Sequence, residues 1–528
     1  MLAQLELVPR DILEHIAFLV AISSGTASRP PQALLHLLLT SSTLYYSLRT
    51  TSAPHLYARL FRCTFDTSGT SFTGSLKDSR LTAELVSRHR LLGRVRRLEL
   101  SEPTMYEDLC VAMRIVMENN GVNEVHLRST AFSPFIFTFA ERCLKQHQCR
   151  SDVHSDRIIG LVLWLLALTW SRDDVACISE EARDSFLVLL RPLLFITPSD
   201  AASLIECPRG SSQSEHIRNM HSRGDADGCE DFGFVCPSAA SAAILLSFIF
   251  QEAGVPKAAP QLHSNLPNVN AGPSIEDYCI MANYQTPLFS DICSSGTVCC
   301  PGLPRAVRHD PQFFHPKLPG SDAYCHIPEL IAGLWEGVYM VSCAQLTKEA
   351  SPPAPETTEF ICKKPLQCSL TLYFALQVEP QVGAECIADE VDQWTMTPKD
   401  FSNEDDCLTV FGKKLGYEKF VSSANCNCQV SQDYSQALDC LVIGQTTEEH
   451  DRAWGGYNFA GRVNRDGTIV MKREPKEIDD AGLGTWIFQG HLRYGSAFVG
   501  RWRSSSAIDS GIGGLFSLAK RPRPSTDD

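Results

Sequence analysis

Residues 484–502 read Gly-Thr-Trp-Ile-Phe-Gln-Gly-His-Leu-Arg-Tyr-Gly-Ser-Ala-Phe-Val-Gly-Arg-Trp, and they decide the fold of the last third of the chain. Large apolar side chains recur at every second position, at Trp486, Phe488, Leu492 and Tyr494 and again at Phe498 and Trp502. A period of two residues is typical of β-strands that bury one face. The stretch therefore predicts a pair of neighbouring strands.

The same alternation continues on both sides of this stretch. It places Trp335, Tyr339 and Val341 on one side of residues 333–341, and it recurs along residues 370–376. Further strands are predicted by a hairpin at residues 460–472, turning at Asp466-Gly467, and by a closing strand at residues 514–518. Several antiparallel strands rich in glycine and aromatic residues predict a closed β-barrel, because closure leaves no free sheet edge.

Five aromatic residues stand at alternating positions of these predicted strands, namely Trp335, Tyr339, Trp486, Phe488 and Trp502. Large rings at such positions either fill a barrel or line a pocket inside it. A pocket would accept a small molecule or the end of a peptide. The alternation alone does not distinguish a filled barrel from one with a cavity.

The N-terminus has a different pattern, Leu7-Val-Pro-Arg-Asp-Ile-Leu-Glu-His-Ile16. Pro9 suits a first helical position, and Asp11 then meets the positive end of the helix dipole. Apolar residues follow at intervals of three and four, which predicts a helix with one apolar face. Three more helices are predicted at residues 33–39, at 44–48 after the capping residues 40–42, and after Pro54.

The middle of the chain continues with helical spacing. Helices are predicted at residues 84–92, 106–118, 135–144, 158–169 and 181–194. Two shorter runs, residues 95–100 and 122–127, are predicted as small strands. A second apolar run, residues 239–250, predicts a buried helix like that of residues 158–170.

Composition divides the chain into five parts and predicts an α+β multidomain protein, since 528 residues exceed what a single hydrophobic core supports. Residues 205–330 are rich in Pro, Gly, Ser and Cys, which is typical of an irregular, partly disordered connector. The expected parts are N-terminal helices (1–66), a helical domain (67–204), the connector (205–330), a barrel-like domain (331–522) and a tail (523–528).

Charge and hydropathy restrict the class of partner. The net charge is −14, whereas a general nucleic-acid binder needs a basic surplus to neutralise phosphates. The longest apolar run, residues 158–170, has 13 residues, fewer than the roughly 20 that cross a bilayer. The N-terminus lacks the pattern of a signal peptide, and the 21 scattered cysteines fit reduced thiols. We expect a cytoplasmic or nuclear protein that binds neither nucleic acid nor membranes.

The sequence offers little support for catalysis. It contains no Gly-x-Ser-x-Gly elbow, no phosphate-binding Walker loop and no His-Glu-x-x-His pair. The cysteine pairs 299–300 and 426/428 lack a second pair at zinc spacing. We therefore expect no catalytic residues, no metal ion and no cofactor.

The N-terminal pattern, together with Leu39-Thr-Ser-Ser-Thr-Leu44-Tyr45 and residues 54–66, resembles an F-box and the segment that follows it in many fungal F-box proteins. The C-terminal strands, including Phe498-Val-Gly-Arg-Trp502, resemble the lipocalin-like barrel found at the end of some F-box proteins. The loop of residues 21–32 is longer and richer in serine than the F-box pattern.

This resemblance implies a non-catalytic subunit that docks on the adaptor of an SCF-type cullin–RING ubiquitin ligase and presents an unidentified protein substrate for degradation. The positions that match the family's docking residues are Leu7, Pro9, Ile12, Leu13, Ile16, Leu39 and Leu44. Two alternatives stay open. These residues could be ordinary core of the helical domain, and the protein could instead be a small-ligand carrier or sensor built on its barrel.

Overall fold

The structure is a computed structural model, and two compact units make up the chain. The first comprises Met1–Ala239 and Cys300–His309, and the second comprises Ala240–Cys299 and Asp310–Asp528. The residues that the structure describes are 5–23, 29–66, 77–100, 102–147, 153–194, 239–254, 273–294, 330–342, 360–375, 398–404, 407–410, 413–420, 437, 439–464, 467–477, 484–505 and 513–521. The predictions for the cysteine pairs, for most of the connector and for the tail lie outside the described residues.

The first unit begins with the four helices that the sequence predicts. They are α1 (Arg10–Ser23), α2 (Gln32–Leu39), α3 (Ser42–Leu48) and α4 (Pro54–Thr64). The Ser41 hydroxyl caps α3 by accepting a hydrogen bond from the Thr43 amide at 3.1 Å. Pro54 occupies the start of α4, where a missing amide hydrogen costs nothing.

Seven further helices follow in the described part of the first unit. They are α5 (Asp78–Arg97), α6 (Glu102–Met117), α7 (Val122–Ser129), α8 (Phe132–His147), α9 (Val153–Thr169), α10 (Arg172–Ala176) and α11 (Glu180–Leu194). Residues 159–168 of α9 are buried against α6 and α8, so the prediction of a buried helix here is confirmed. Among the described helices, none is both long and apolar enough to cross a membrane.

The two small strands predicted in this region are wrong. Residues 95–97 form the last turn of α5, which ends where Leu98 adopts a left-handed conformation. Residues 122–127 form α7, and two side chains cap its start. The Asp66 carboxylate accepts hydrogen bonds from the Asn120 and Asn123 amides at 2.9 Å, and the Asn119 side-chain oxygen accepts from the Gly121 and Glu124 amides at 2.9 Å. A local sequence pattern does not predict the cap by Asp66, because Asp66 lies 57 positions before Asn123 in the chain.

A buried network of charges ties α5 to α6. Glu84 accepts hydrogen bonds from Arg88 at 3.0 Å and from two nitrogens of Arg114 at 3.1 Å, and Arg88 also bonds to Glu118. Burial alone would raise the pKa of Glu84, but the adjacent Arg114 and Arg88 charges outweigh burial and hold that pKa below its usual value. Glu84 is therefore the ionised centre of the network.

Removing the central carboxylate charge tests how much this network contributes to stability. Glu84→Gln leaves two buried arginines without their shared counter-charge, so we expect a loss of about 3 kcal/mol in the free energy of unfolding. Urea denaturation followed by far-UV circular dichroism measures it. Glu124→Gln is the matched control, because Glu124 pairs with Arg128 at the surface and should lose less than about 0.5 kcal/mol. Equal losses in the two variants would contradict a structural role of the buried network.

The second unit contains three helices ahead of its strands, α12 (Ala239–Gly254), α13 (Ile275–Ala282) and α14 (Phe289–Ser294). α12 is buried, as its apolar sequence predicts, although it lies inside the range assigned to the connector. It packs on the outer wall of the barrel, where the Arg493 Nε donates to the Ser241 hydroxyl at 3.0 Å. The segment after α13 is held there too, by a 2.8 Å hydrogen bond between the Thr286 and Ser517 hydroxyls.

Eleven described strands complete the second unit. They are β1 (Gly333–Ser342), β2 (Phe360–Ala375), β3 (Phe401–Glu404), β4 (Cys407–Val410), β5 (Lys413–Lys419), β6 (Asp439–Gln445), β7 (Tyr457–Val463), β8 (Thr468–Pro475), β9 (Trp486–Arg493), β10 (Ala497–Ser504) and β11 (Gly513–Lys520). A short helix, α15 (Glu448–Trp454), joins β6 to β7. All pairings between these strands are antiparallel.

Eight of these strands close into a barrel, which confirms the predicted α+β layout and the barrel itself. β1 pairs with both β2 and β11, and the order β2-β6-β7-β8-β9-β10-β11 completes the circle. β5, β4 and β3 extend the sheet from the far end of β2. Inward residues form one hydrophobic core that includes the predicted aromatic positions.

The hairpin of residues 484–502 shows how the barrel wall bends. β9 and β10 are joined by residues 494–496, and Tyr494 and Gly495 both lie in the left-handed region with φ of 56° and 64°, as in a type I′ turn. Farther along, Gly490 faces Gly500 across the two strands. A Cβ on Gly500 would lie 2.2 Å from the Gln489 carbonyl oxygen, so only glycine permits this close approach.

Candidate functional site

Exposed apolar side chains are concentrated on the first three helices and the residues just before them. We call this set the N-terminal apolar surface, and its members are 46–84 % exposed. They are Leu7, Ile12, Leu19, Ile22, Leu35, Leu39, Tyr45 and Tyr46. Apolar side chains exposed on neighbouring helices make this region a candidate docking surface.

The seven predicted docking residues divide between this surface and the core beneath it. Leu7, Pro9, Ile12 and Leu39 are exposed, and Ile16 is half-buried. The other two, Leu13 and Leu44, are 4 % and 1 % exposed, so they hold the helices together instead of facing solvent. The sequence reading did not single out Leu35, Tyr45 or Tyr46, because exposure of an apolar residue is decided by the packing of neighbouring helices.

Leu13 and Ile12 are adjacent in sequence but should affect stability differently. Leu13→Ala leaves a cavity in the core of the N-terminal helices, and we expect it to lower the free energy of unfolding by about 2–4 kcal/mol. Ile12→Ala, at a side chain 49 % exposed, should change it by no more than about 0.5 kcal/mol. Thermal denaturation of both variants checks this. A neutral Leu13→Ala would mean that Leu13 is not a core residue.

A groove of about 540 Å³ lies beside this surface, within the first unit. It is formed by the end of α1, the following residues 29–31, and α2, α4 and α5. Its apolar walls include Ile22, Leu34, Leu38, Leu60 and Leu85. No local feature of the sequence predicts this groove, since four helices distant in the chain contribute to it.

His89 on α5 lines the groove and is a neutral histidine. Burial lowers its pKa to about 4, and the nearby His126 and Arg96 add to the effect. Its Nδ1 atom is buried without a hydrogen-bond partner among the described residues. The ring packs edge-on against Phe65 with a centroid distance of 5.5 Å. A charge on this ring would be poorly accommodated.

The low pKa of His89 makes stability depend on pH. The unfolded chain takes up a proton near the ordinary histidine pKa of about 6.5, whereas the folded chain does not until about 4, so stability falls as the pH drops through this window. His89 alone should make the protein about 2 kcal/mol less stable near pH 5 than near pH 8. Urea denaturation at both pH values measures this, and His89→Leu should remove that share. An unchanged pH dependence in the variant would contradict the assignment.

In the barrel, the structure brings four of the five predicted aromatic residues together. Trp486 stacks on Trp502 with a centroid distance of 4.4 Å, and Tyr339 meets both edge-on at 5.2 and 5.5 Å. Phe488 lies next to Trp486 at 6.5 Å. Trp486 is half-buried and the other three are buried, so they form a packed aromatic group at one end of the barrel.

Trp335, the fifth predicted residue, lies away from this group. Its indole donates a hydrogen bond to the Ile331 carbonyl at 2.7 Å, and its ring contacts Phe498 at 6.1 Å. In the strand register it faces Lys520, whereas Tyr339 faces Phe516, four residues farther along β1. Trp335 is therefore a core residue of another part of the barrel interior.

One buried charge beside the aromatic group was missed by the sequence reading. Arg473 on β8 is 2 % exposed, and its guanidinium carbon lies 3.8 Å from the Trp486 ring centroid and 4.0 Å from that of Tyr457. The alternation of residues along β8 could have revealed it. Ile469 and Met471 point into the barrel, and since side chains on one face of a strand recur at every second residue, Arg473 points inward as well. A charged residue at an inward position of a strand is unusual, because burying an unpaired charge costs free energy.

The described part of the chain contains no group of three or more His, Cys, Asp or Glu residues arranged to hold a metal ion. Its cysteines are free thiols, and those at positions 110, 143, 368 and 440 are buried. No protein-family model, curated protein or solved structure matches the chain. We therefore infer its function from its own residues and contacts.

Proposed function

We propose that this protein is the substrate-recognition subunit of an SCF-type cullin–RING ubiquitin ligase and performs no chemistry itself. The observation that carries the proposal is the position of Leu7, Pro9, Ile12 and Leu39, four residues of the F-box-like pattern, on the surface of the N-terminal helices. The same pattern in an ordinary helical core would bury these side chains. Their exposure favours a partner that covers them.

The helices under this surface support a docking role. Leu13 and Leu44 are buried together with Ala17, Phe18 and Leu48, so the exposed residues stand on a packed base. A rigid base reduces the entropy that docking must overcome. Apolar residues at the centre of such an interface typically contribute most of the binding energy, about 2 kcal/mol or more each when truncated. In this role Ile12 and Leu39 contact the adaptor, and Leu13 and Leu44 support them.

The second unit is then the part that presents a protein substrate. A barrel with a lipocalin-like resemblance and an additional three-stranded edge offers a wall, two ends and connecting segments as recognition surfaces. A substrate-recognition subunit of this kind acts in the cytoplasm or the nucleus, where ubiquitin ligases of the SCF type work. Trp486, half-buried at one end of the barrel, is a candidate contact.

A binding experiment with surface variants tests the docking assignment. Full-length protein is titrated with the purified adaptor subunit by calorimetry and is also used to capture the adaptor from a cell extract. The double variant Ile12→Asp and Leu39→Asp places two charges in the proposed interface, and we expect it to weaken binding at least a hundredfold while the protein stays folded. Both side chains are exposed, so the substitutions spare the core.

The matched control is the double variant Val125→Asp and Val188→Asp. These valines are exposed on α7 and α11, outside the F-box-like pattern, and the control carries the same added charge. It should bind the adaptor like the unaltered protein. Absence of binding by the unaltered protein, or equal binding by both double variants, would overturn the proposal.

A further inference from the structure

The interior of the barrel contains a cation that its described neighbours leave uncompensated. Arg473 faces inward between β7 and β9, opposite Phe459 on one side and Trp486 on the other. In the described part of the chain, no carboxylate pairs with it, and the groups acting on it are the tyrosines 339 and 457 and aromatic rings. An unpaired buried charge destabilises a fold, so such a residue is retained for a reason other than packing.

A second buried arginine shows what compensation looks like in this protein. Arg88 in the first unit is likewise packed on aromatic rings, those of Phe61 and Phe65 at 4.8 and 5.1 Å. Unlike Arg473, it bonds to two carboxylates, Glu84 and Glu118. Among the described residues of the barrel, Arg473 has aromatic neighbours of the same kind but no carboxylate partner.

The guanidinium group is held in a defined orientation. The rings of Trp486 and Tyr457, at 3.8 and 4.0 Å, pack on it, and the hydroxyl of Tyr339 hydrogen-bonds to it. Stacked aromatic rings occupy the faces of a guanidinium and leave the hydrogen-bond donors on its edges unused. Binding of a ligand at an edge would therefore need little reorganisation of the side chain.

One of those edges has unused donors. Nε and Nη2 of Arg473 are both buried and have no hydrogen-bond partner among the described residues. These two nitrogens form the same side of the guanidinium fork, where their hydrogens point in parallel. That spacing matches the two oxygens of a carboxylate, which Arg binds through two parallel hydrogen bonds.

We propose that the barrel binds a ligand through a carboxylate group, with its two oxygens on Nε and Nη2 of Arg473. The apolar body of the ligand packs against the aromatic group at the same end of the barrel, where Trp486 is partly open to solvent. A monoanion fits better than a phosphate, because a single cation faces the site in the described residues and its other neighbours are rings. The proposal does not depend on adaptor docking.

The carboxylate can belong to a small organic acid or to the C-terminus of a peptide, and two pairs of probes distinguish these ligands. One probe is decanoate, a small acid with an alkyl body, compared with decanamide. The other is a blocked pentapeptide ending in leucine with a free carboxylate, compared with its C-terminal amide. Full-length protein is titrated with each by calorimetry and by intrinsic tryptophan fluorescence, to which Trp486 and Trp502 contribute. We expect one of the acids to bind at least tenfold more tightly than its amide, since a charged hydrogen-bonded pair is replaced by a neutral one.

Two variants tie the effect to the guanidinium. Arg473→Met keeps the volume and removes the charge, and it should bind acid and amide equally while the thermal midpoint stays the same or rises, because no counter-charge is left behind. Arg501→Met is the control: Arg501 belongs to the outer side of β10, so its loss changes the net charge without altering the site.

The relative affinities for the acid and amide probes decide between the two kinds of ligand and can overturn the proposal. Preference for decanoate would identify a small-acid site, and preference for the peptide acid would identify a peptide carboxylate. Equal binding of acid and amide by the unaltered protein, or no binding of any probe, would overturn the proposal. Should Arg473→Met fail to fold, the comparison of acid with amide on the unaltered protein still decides.

Discussion

Closure of the barrel through β1 is the constraint on which most of the second unit depends. β1 bonds to β2 along one edge and to β11 along the other, so strands from the beginning and the end of the unit meet on it. This pairing joins residues about 180 positions apart, and once it forms every inward side chain faces a common interior. The identity of the interior residues then decides whether the barrel is only a packed core or also a binding site.

The interior is apolar along most of its length and polar at one place. Phenylalanine, leucine and tryptophan side chains fill it, whereas Arg473 stands among rings near one end. On the outer side of the wall, Arg493 and Ser517 are buried and hydrogen-bonded, Arg493 to the Ser241 hydroxyl of α12 and Ser517 to the Thr286 hydroxyl after α13.

The first unit combines buried residues that hold its N-terminal helices together with exposed apolar residues above them. Leu13 and Leu44 bind the N-terminal helices to one another, and their neighbours Ile12 and Leu39 remain in solvent. Farther in, the carboxylate of Glu84 compensates two arginines and fixes α5 on α6. The proposed docking surface needs such a base, because apolar residues on a mobile helix would collapse onto the protein itself.

The sequence by itself determined the elements with a strong local period. The helices α1 to α4, the buried helix α9 and the hairpin of β9 and β10 follow from apolar spacing and turn residues, and closure of the strands follows from their number and glycine content. It also indicated which aromatic residues point into the barrel. These features depend on side chains within a few positions of each other, which a single sequence displays.

The tertiary structure alone decided what depends on distant residues. Asp66 caps the start of α7 from 57 positions away in the chain, and Ile12 differs from Leu13 in exposure because neighbouring helices cover only one face of α1. The separation of Trp335 from the aromatic group and the isolation of Arg473 from any described acid follow from the register of strands that lie far apart in the chain. Burial and charge compensation are properties of what surrounds a residue in space, and the order of residues does not contain them locally.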